Sequence, residues 1–155
     1  MPHHGREVHL VLAGLRDPLN VGQAFRTGVS LGAAHLHLCD GTPAPPSAKL
    51  NRTARGAQHA LPWSGGNAEE VVGTLRERGV GVVAVEYAHG SRDLREAIAG
   101  FGGSPLALVL GNEAHGLATQ VMGACEAVAH VPLHGRVSSL NVAAALAIAL
   151  WEAVR

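Results

Sequence analysis

The chain has 155 residues, enough for one domain with a hydrophobic core, and its 47 % apolar and 15 % charged residues exclude a disordered chain. No apolar run reaches the ~20 residues that span a bilayer, and the opening MPHHGREVHL lacks the apolar core of a signal peptide. The formal net charge is zero, which removes any global electrostatic case for a nucleic-acid partner.

Residues 8 to 13, VHLVLA, predict a first strand, followed by the loop GLRDPL. Asn20 is placed to cap a helix whose inward positions are Val21, Ala24, Phe25, Gly28 and Val29, an i, i+3, i+4, i+7, i+8 stripe that Gly32 ends. HLHLC at 35 to 39 alternates as a second strand, and the three prolines of DGTPAPPS demand an irregular loop. AKLNRTARGA predicts a short helix with Lys49, Arg52 and Arg55 at spacing three along one flank. Asn67 and Glu70 give a capping-box-like start to a helix with Ala68, Val71, Val72 and Leu75 inward, stopped by Gly79.

Residues 80 to 87, VGVVAVEY, predict a third strand, and a short helix follows at about Leu94 to Ala99. PLALVL and AVAHVP, 127 to 132, predict the fourth and fifth strands, and a last helix runs from about Leu140 to Val154. Strands alternating with helices imply an α/β fold with a mainly parallel sheet and helices on both faces, and no internal repeat or linker interrupts it. NVAAALAIALW is apolar nearly all round, so the last helix is buried either within the domain or against a second copy; the small size of the domain favours a dimer interface.

Chemistry-bearing motifs are few. There is no GxGxxG after the first strand, no GxxxxGK[ST], and GGSPL lacks the last glycine of a nucleophile elbow. Ten histidines include no HExxH; His35 and His37 alternate along a strand and His3 and His4 are terminal, so they are read as scattered surface and core residues and no metal is expected. Cys39 and Cys125 form no CxxC and are read as ordinary thiols in a reducing, cytoplasmic setting. Up to residue 66 six basic residues face three acidic ones, and arginine outnumbers lysine eleven to one, a bias suited to bidentate phosphate contacts.

Three polar clusters remain, each at a strand end or a helix start: NVGQAFR at 20 to 26, LGNEAHG at 110 to 116 and VPLHGRVSSLN at 131 to 141. Singly they read as a helix cap with a surface arginine, a turn with Glu113 near a helix N-terminus, and a loop ending in a serine cap. Together they place Asn, Arg, Glu, Ser and Asn at the strand edge where open α/β sheets bind ligands.

In order and spacing these clusters resemble the three motifs of the SpoU/TrmH family, ribose 2′-O-methyltransferases of the SPOUT class, over nearly the whole chain. The resemblance implies a single SPOUT domain over 1–155 with a C-terminal trefoil knot. It implies a homodimer joined through the last helix, and S-adenosylmethionine as methyl donor. Carried onto this sequence, it assigns the cofactor pocket to Val85, Gly111, Val131, Leu133, Ser139 and Leu140, and the catalytic set to Arg26, Asn20, Glu113, Ser139 and Asn141. RNA contacts fall to Arg16, Arg26, Lys49, Arg52 and Arg55. Departures are Ser138, where many relatives carry Glu, and Leu133, where Met is common.

The donor would arrive activated, so the protein mainly aligns oxygen, methyl carbon and sulfur. A guanidinium is effectively always protonated, so Arg26 reads as a phosphate clamp that stabilises a developing alkoxide rather than as a general base. The short chain resembles stand-alone members acting on tRNA, and the closing LWEAVR suits a guanosine branch, so tRNA is expected ahead of rRNA. The other readings are an rRNA enzyme or a non-catalytic knotted RNA-binding protein.

Overall fold

The computed structural model describes residues 5–155, so the terminal pair His3 and His4 lies outside the described residues. The order along the chain is β1 (Val8–Ala13), α1 (Pro18–Leu31), β2 (His35–Cys39), α2 (Ala48–Ala54), β3 (Trp63–Gly66), α3 (Ala68–Glu77), β4 (Gly81–Val85), β5 (Arg92–Asp93), α4 (Leu94–Ala99), β6 (Leu106–Gly111), α5 (Thr119–Ala124), β7 (Ala127–His130) and α6 (Val142–Val154). The strands form one seven-stranded sheet in the order β3-β2-β1-β6-β4-β7-β5, and every strand pair in it is parallel.

The central strands β1, β6 and β4 are buried along their whole length, which explains their near-continuous apolar runs. Their side chains alternate between two cores. Leu10, Leu12, Leu108 and Leu110 meet Phe25 of α1 and Leu146 and Leu150 of α6, with α2 and α4 on the same side. Val11, Val82 and Val109 meet Val72 and Leu75 of α3 and Val121 of α5 on the other. Each fully buried Leu or Phe contributes roughly 1.5–3 kcal/mol over its exposed state. Helices thus cover both faces, as the alternating pattern predicts.

The register makes the strand ends flush. Ala13 pairs with both Cys39 and Gly111, Ala84 with Val109, and Val85 with Ala129. The loops after β1, β6, β4 and β7 therefore leave from one edge of the sheet, and that edge carries the site.

Several expectations are corrected. Asn20 is not a cap: α1 begins at Pro18, and Asp17 caps it by accepting from the Leu19 N–H at 2.9 Å. Proline at the first helical position and aspartate before it are the favoured pairing, and they displace the start from Asn20. Val29 is 41 % exposed rather than inward, while Asn20 is buried. Arg55 does not extend the basic flank of α2: it sits beyond the last turn in the left-handed region at φ 50°, whereas Lys49 and Arg52 stand exposed on the helix. The strand expected over 80–87 ends at Val85, releasing Glu86 and Tyr87, and the one expected over 127–132 ends at His130, before Pro132.

Three elements, β3, β5 and α5, lie outside the sequence expectations. β3 is WSGG, whose two glycines give little strand preference of their own; pairing with β2 makes it a strand. β5 is two residues long, and α5 is a six-residue helix with no side-chain cap. The asparagine cap of α3 is as expected, with Asn67 accepting from Glu70 N–H at 3.0 Å. The last helix resolves into two faces. Ala143, Leu146, Ala149, Leu150, Ala153 and Val154 are buried, whereas Ile148 and Trp151 are 42 % and 56 % exposed.

Candidate functional site

The 112–117 turn holds the site together, and hydrogen bonds made at it tie three strands. Asn112 and Gly116 close an antiparallel bridge with N–H to carbonyl distances of 3.1 and 2.9 Å. The Asn112 side chain accepts from Ala114 and His115 N–H at 2.9 Å each and donates to the Gly14 carbonyl at 2.9 Å, joining the turn to the end of β1. On the other side Glu86, leaving β4, accepts from Leu117 N–H at 2.9 Å. Two glycines permit this packing. A Cβ at Gly111 would lie 2.5 Å from the Gly116 carbonyl carbon and 2.6 Å from Leu117 N, and one at Gly116 (φ +68°) would lie 2.7 Å from the Glu86 carboxylate. Gly111 is thus required by the turn that folds back on it.

Glu113 is not at a helix N-terminus, since α5 starts only at Thr119. Both its carboxylate oxygens turn instead to the β1–α1 loop. They accept from Arg16 N–H at 3.0 and 3.1 Å, and one accepts from Asp17 N–H at 3.3 Å. These donors directly precede α1, where a negative charge is favoured. Glu113 is therefore an intrachain anchor that fixes the entry to α1.

One turn into that helix, the Asn20 Oδ1 accepts from Asn141 Nδ2 at 3.1 Å. Asn141 caps α6, its Oδ1 accepting from Ala143 and Ala144 N–H at 2.9 and 3.2 Å, so the cap at this end is Asn141 and not a serine. The buried amide of Asn20 is thereby paired, and the starts of the first and last helices are coupled. Gly22 of the same motif lies where α2 crosses: a Cβ there would collide with Thr53 Oγ1 and the Leu50 carbonyl.

These loops enclose a cavity of about 870 Å³, within the range of small-molecule sites. Val85, Gly111, Val131, Leu133, Ser139 and Leu140, drawn from three separate stretches of chain, all line it, and so does Glu113. Asn20, Asn141 and Arg26 do not line it. Arg26 is exposed on α1, so within one chain it is not brought to the cavity wall. Arg16 is exposed at the loop that Glu113 holds, while Lys49, Arg52 and Arg55 are exposed around α2, outside the cavity. Sequence reasoning missed Glu86, Asn112, Tyr87 and His130, which also line the cavity. Their position at or just past a strand end, on the ligand-binding edge of a parallel sheet, was the available signal.

The thiols of Cys39 and Cys125 do not line the cavity. Burial and the neighbouring Asp40 push Cys39 up to about 12, and burial pushes Cys125 up to about 11, so neither is a thiolate near neutrality. Both are free. Among the described residues no group of three or more His, Cys, Asp or Glu side chains is placed to hold a metal ion, and no helix is long and apolar enough to cross a membrane.

The model of the SpoU rRNA Methylase family matches residues 7–151. The chain belongs to this family. Among its curated relatives, a 23S rRNA (guanosine-2′-O-)-methyltransferase RlmB of Vibrio parahaemolyticus is 32 % identical, over 100 % of this chain and 62 % of the relative. A putative TrmH family tRNA/rRNA methyltransferase of Staphylococcus saprophyticus is 31 % identical, over 94 % of this chain and 57 % of its own length. Among solved structures, an AdoMet-bound rRNA methyltransferase of Sinorhizobium meliloti superposes with a TM-score of 0.88 at 36 % identity, covering 98 % of this chain and 57 % of the other. This SpoU family chain spans about three fifths of the length of the curated relatives it matches.

Proposed function

We propose that the chain catalyses S-adenosylmethionine-dependent 2′-O-methylation of a ribose in RNA, with ribosomal RNA, at a guanosine, ahead of transfer RNA. The observation that carries the reading is the cavity, where all six positions assigned to the cofactor converge. Its lining fits that molecule. Leu140 and Val137 present apolar side chains that are 41 % and 72 % exposed, surface that a bound ligand would cover, and Ser139 adds a hydroxyl beside them. The preference for ribosomal RNA over the tRNA first expected rests on the names of relatives such as the 23S rRNA enzymes of three Vibrio species.

When bound, S-adenosylmethionine supplies a methyl already activated on a sulfonium, so the burden on this chain is alignment. Val85, Val131, Leu133 and Leu140 would hold the apolar part of the cofactor, with Ser139 at its polar edge. Glu113 acts by positioning: its oxygens are taken by the Arg16 and Asp17 N–H groups, which leaves it poorly placed to accept a proton from substrate. Asn141 and Asn20 fix the helix starts beside it. Arg26, permanently charged, would clamp an RNA phosphate and stabilise the charge developing on the 2′ oxygen as the hydroxyl proton passes to solvent water, while Arg16, Lys49, Arg52 and Arg55 would draw in the RNA backbone.

We further infer a homodimer through α6 and the adjoining α1. Ile148 and Trp151 of α6 and Leu19 and Val29 of α1 are exposed apolar side chains on helices that pack against each other. A second copy seated there would also reach Arg26, which one chain leaves outside its own cavity. The trefoil knot implied by the family is part of the same proposal, as are the single SPOUT unit and a cytoplasmic setting.

The test is transfer of labelled methyl to ribosomal RNA and to tRNA stripped of modifications, followed by mapping. Label on a guanosine ribose of 23S rRNA is expected. Label in tRNA alone would overturn the choice of substrate, and donor binding without transfer to either would favour a non-catalytic RNA-binding protein.

A further inference from the structure

Tyr87 is the single tyrosine of the chain. It lines the cavity and is nevertheless 71 % exposed, so most of its ring surface is available to a ligand. The ring meets His130 edge-to-face, with centroids 5.0 Å apart and planes at 61°. His130 is held in turn by Ser91, whose Oγ lies 2.8 Å from its Nδ1, and the Ser91 N–H donates to the Ala88 carbonyl at 3.0 Å, closing the turn that follows Tyr87. The sheet sets this arrangement: Tyr87 follows β4, His130 ends β7, Val85 pairs with Ala129, and Glu86 N–H donates to the Ala129 carbonyl at 2.8 Å.

We propose that Tyr87, braced by His130 and Ser91, is the platform on which the adenine ring of the methyl donor stacks. The inference rests on the methyltransferase reading and deepens it. Position selects the adenine. Val85 lies two residues before Tyr87 and Val131 directly follows His130, so the rings continue the wall assigned to the cofactor. In the sheet β6 and β4 separate β1 from β7, so the rings bound the end of the cavity away from Asn20, which follows β1 and meets Asn141. The loop after β1 carries the exposed Arg16, on the side where an RNA backbone would be drawn in, which leaves the opposite end to the base. Chemistry agrees. Adenine is flat, neutral and aromatic and suits an aromatic wall, whereas the methionine end carries an ammonium, a carboxylate and the sulfonium and needs polar partners.

The experiment is calorimetric titration of S-adenosylhomocysteine, and of adenosine as its fragment, into the wild type, Tyr87→Phe and Tyr87→Ala, with the RNA KM measured at saturating donor. Tyr87→Ala is expected to lose roughly tenfold in affinity for both ligands, the size of one lost base–aromatic stack. Tyr87→Phe should stay within about twofold of wild type, because the ring is kept. The RNA KM should not move. Ser91→Ala, which frees the His130 ring, should weaken both ligands by a smaller factor and leave the RNA KM alone. If the wild type binds and Tyr87→Ala binds equally well, the platform is wrong and the methyltransferase reading stands. A raised RNA KM with unchanged donor affinity would give Tyr87 to an RNA base and also overturn the inference. A wild type that takes up neither ligand would overturn the parent reading together with this one.

Discussion

The amide of Asn141, at the start of the last helix, donates to the amide oxygen of Asn20, 121 positions earlier in the first helix, at 3.1 Å. The same Asn141 side chain caps α6 through its oxygen. One residue thus performs a local and a long-range task. Replacing it with alanine should cost about 2 kcal/mol, the sum of a lost cap and a lost buried hydrogen bond. A double-mutant cycle of Asn20→Ala and Asn141→Ala, read by urea denaturation, should give a coupling of about 1 kcal/mol. Strictly additive losses would mean that the two amides do not interact.

Glu113→Gln tests the anchor. Glutamine offers a single acceptor oxygen where the carboxylate uses both, so the hold on the Arg16 and Asp17 N–H groups loosens and a charge favourable to α1 is lost. We expect a loss of about 1–2 kcal/mol in stability. Turnover should fall as well, with donor affinity changed little. Normal stability with abolished turnover would make Glu113 a chemical participant.

Gly111→Ala separates two explanations of one glycine. The added methyl meets the backbone of Gly116 and Leu117, which cannot yield without opening the turn, so destabilisation of about 1–3 kcal/mol is expected before any ligand is present. Gly103→Ala, where a Cβ meets nothing within 4 Å, is the control and should be near neutral. Donor binding lost without loss of stability would show that Gly111 serves only the ligand.

A pH dependence follows from the histidines of β1 and β2. His9 Nδ1 lies 3.2 Å from His37 Nε2, and the His35 and His37 ring centroids are 4.5 Å apart. Burial, then His35, His9 and Arg78, hold His37 down to about 4 from the ordinary 6.5. Burial and His9 lower His35 as well, while Glu7 bonds to His9 at 2.6 Å and Ser64 to His35 at 2.8 Å. A histidine lowered in the folded state binds more protons when unfolded. Stability is therefore complete above 6.5 and declines as pH falls toward 4. Thermal melts should show this slope, and His37→Gln should flatten it. An equal slope in the variant would place the titration elsewhere.

Trp151→Asp addresses the proposed dimer. A charge on the exposed face of α6 should give a monomer by light scattering, with the fold intact by circular dichroism, because Trp151 is 56 % exposed. Methyl transfer should fall by orders of magnitude if Arg26 acts only in the assembled pair, and Arg26→Ala should match that loss while leaving donor affinity unchanged. Full activity in a proven monomer would refute the dimeric site.

The central layer of the fold is legible without coordinates, because Val8–Ala13 and Leu106–Leu110 are apolar runs too short for buried helices between turn signals, and the helix expected over Leu94–Ala99 occupies that span. WSGG is not legible, since nothing in it prefers a strand until β2 supplies a partner. At the site, the three motifs were visible as clusters, and the residues assigned to the cofactor do meet in one cavity. The reasons for individual residues were not visible. Asn20 looks like a cap because the local rule rewards that choice, yet Asp17 and Pro18 win and free Asn20 to meet Asn141. Gly111 looks like a ligand contact until the turn is seen to fold back onto it. Tyr87 and His130 lie 43 positions apart, and only the pairing of β4 with β7 brings them together.

In the proposed reading the cavity at the ends of β4, β6 and β7 holds the methyl donor. Calorimetric titration of S-adenosylhomocysteine into the wild type and into Val131→Asp, a cavity-wall variant, tests it most directly. One site per chain with micromolar affinity in the wild type, and loss of binding in the variant at unchanged secondary structure, is the predicted result. Absence of heat in the wild type at millimolar ligand, or equal binding by both proteins, would contradict it.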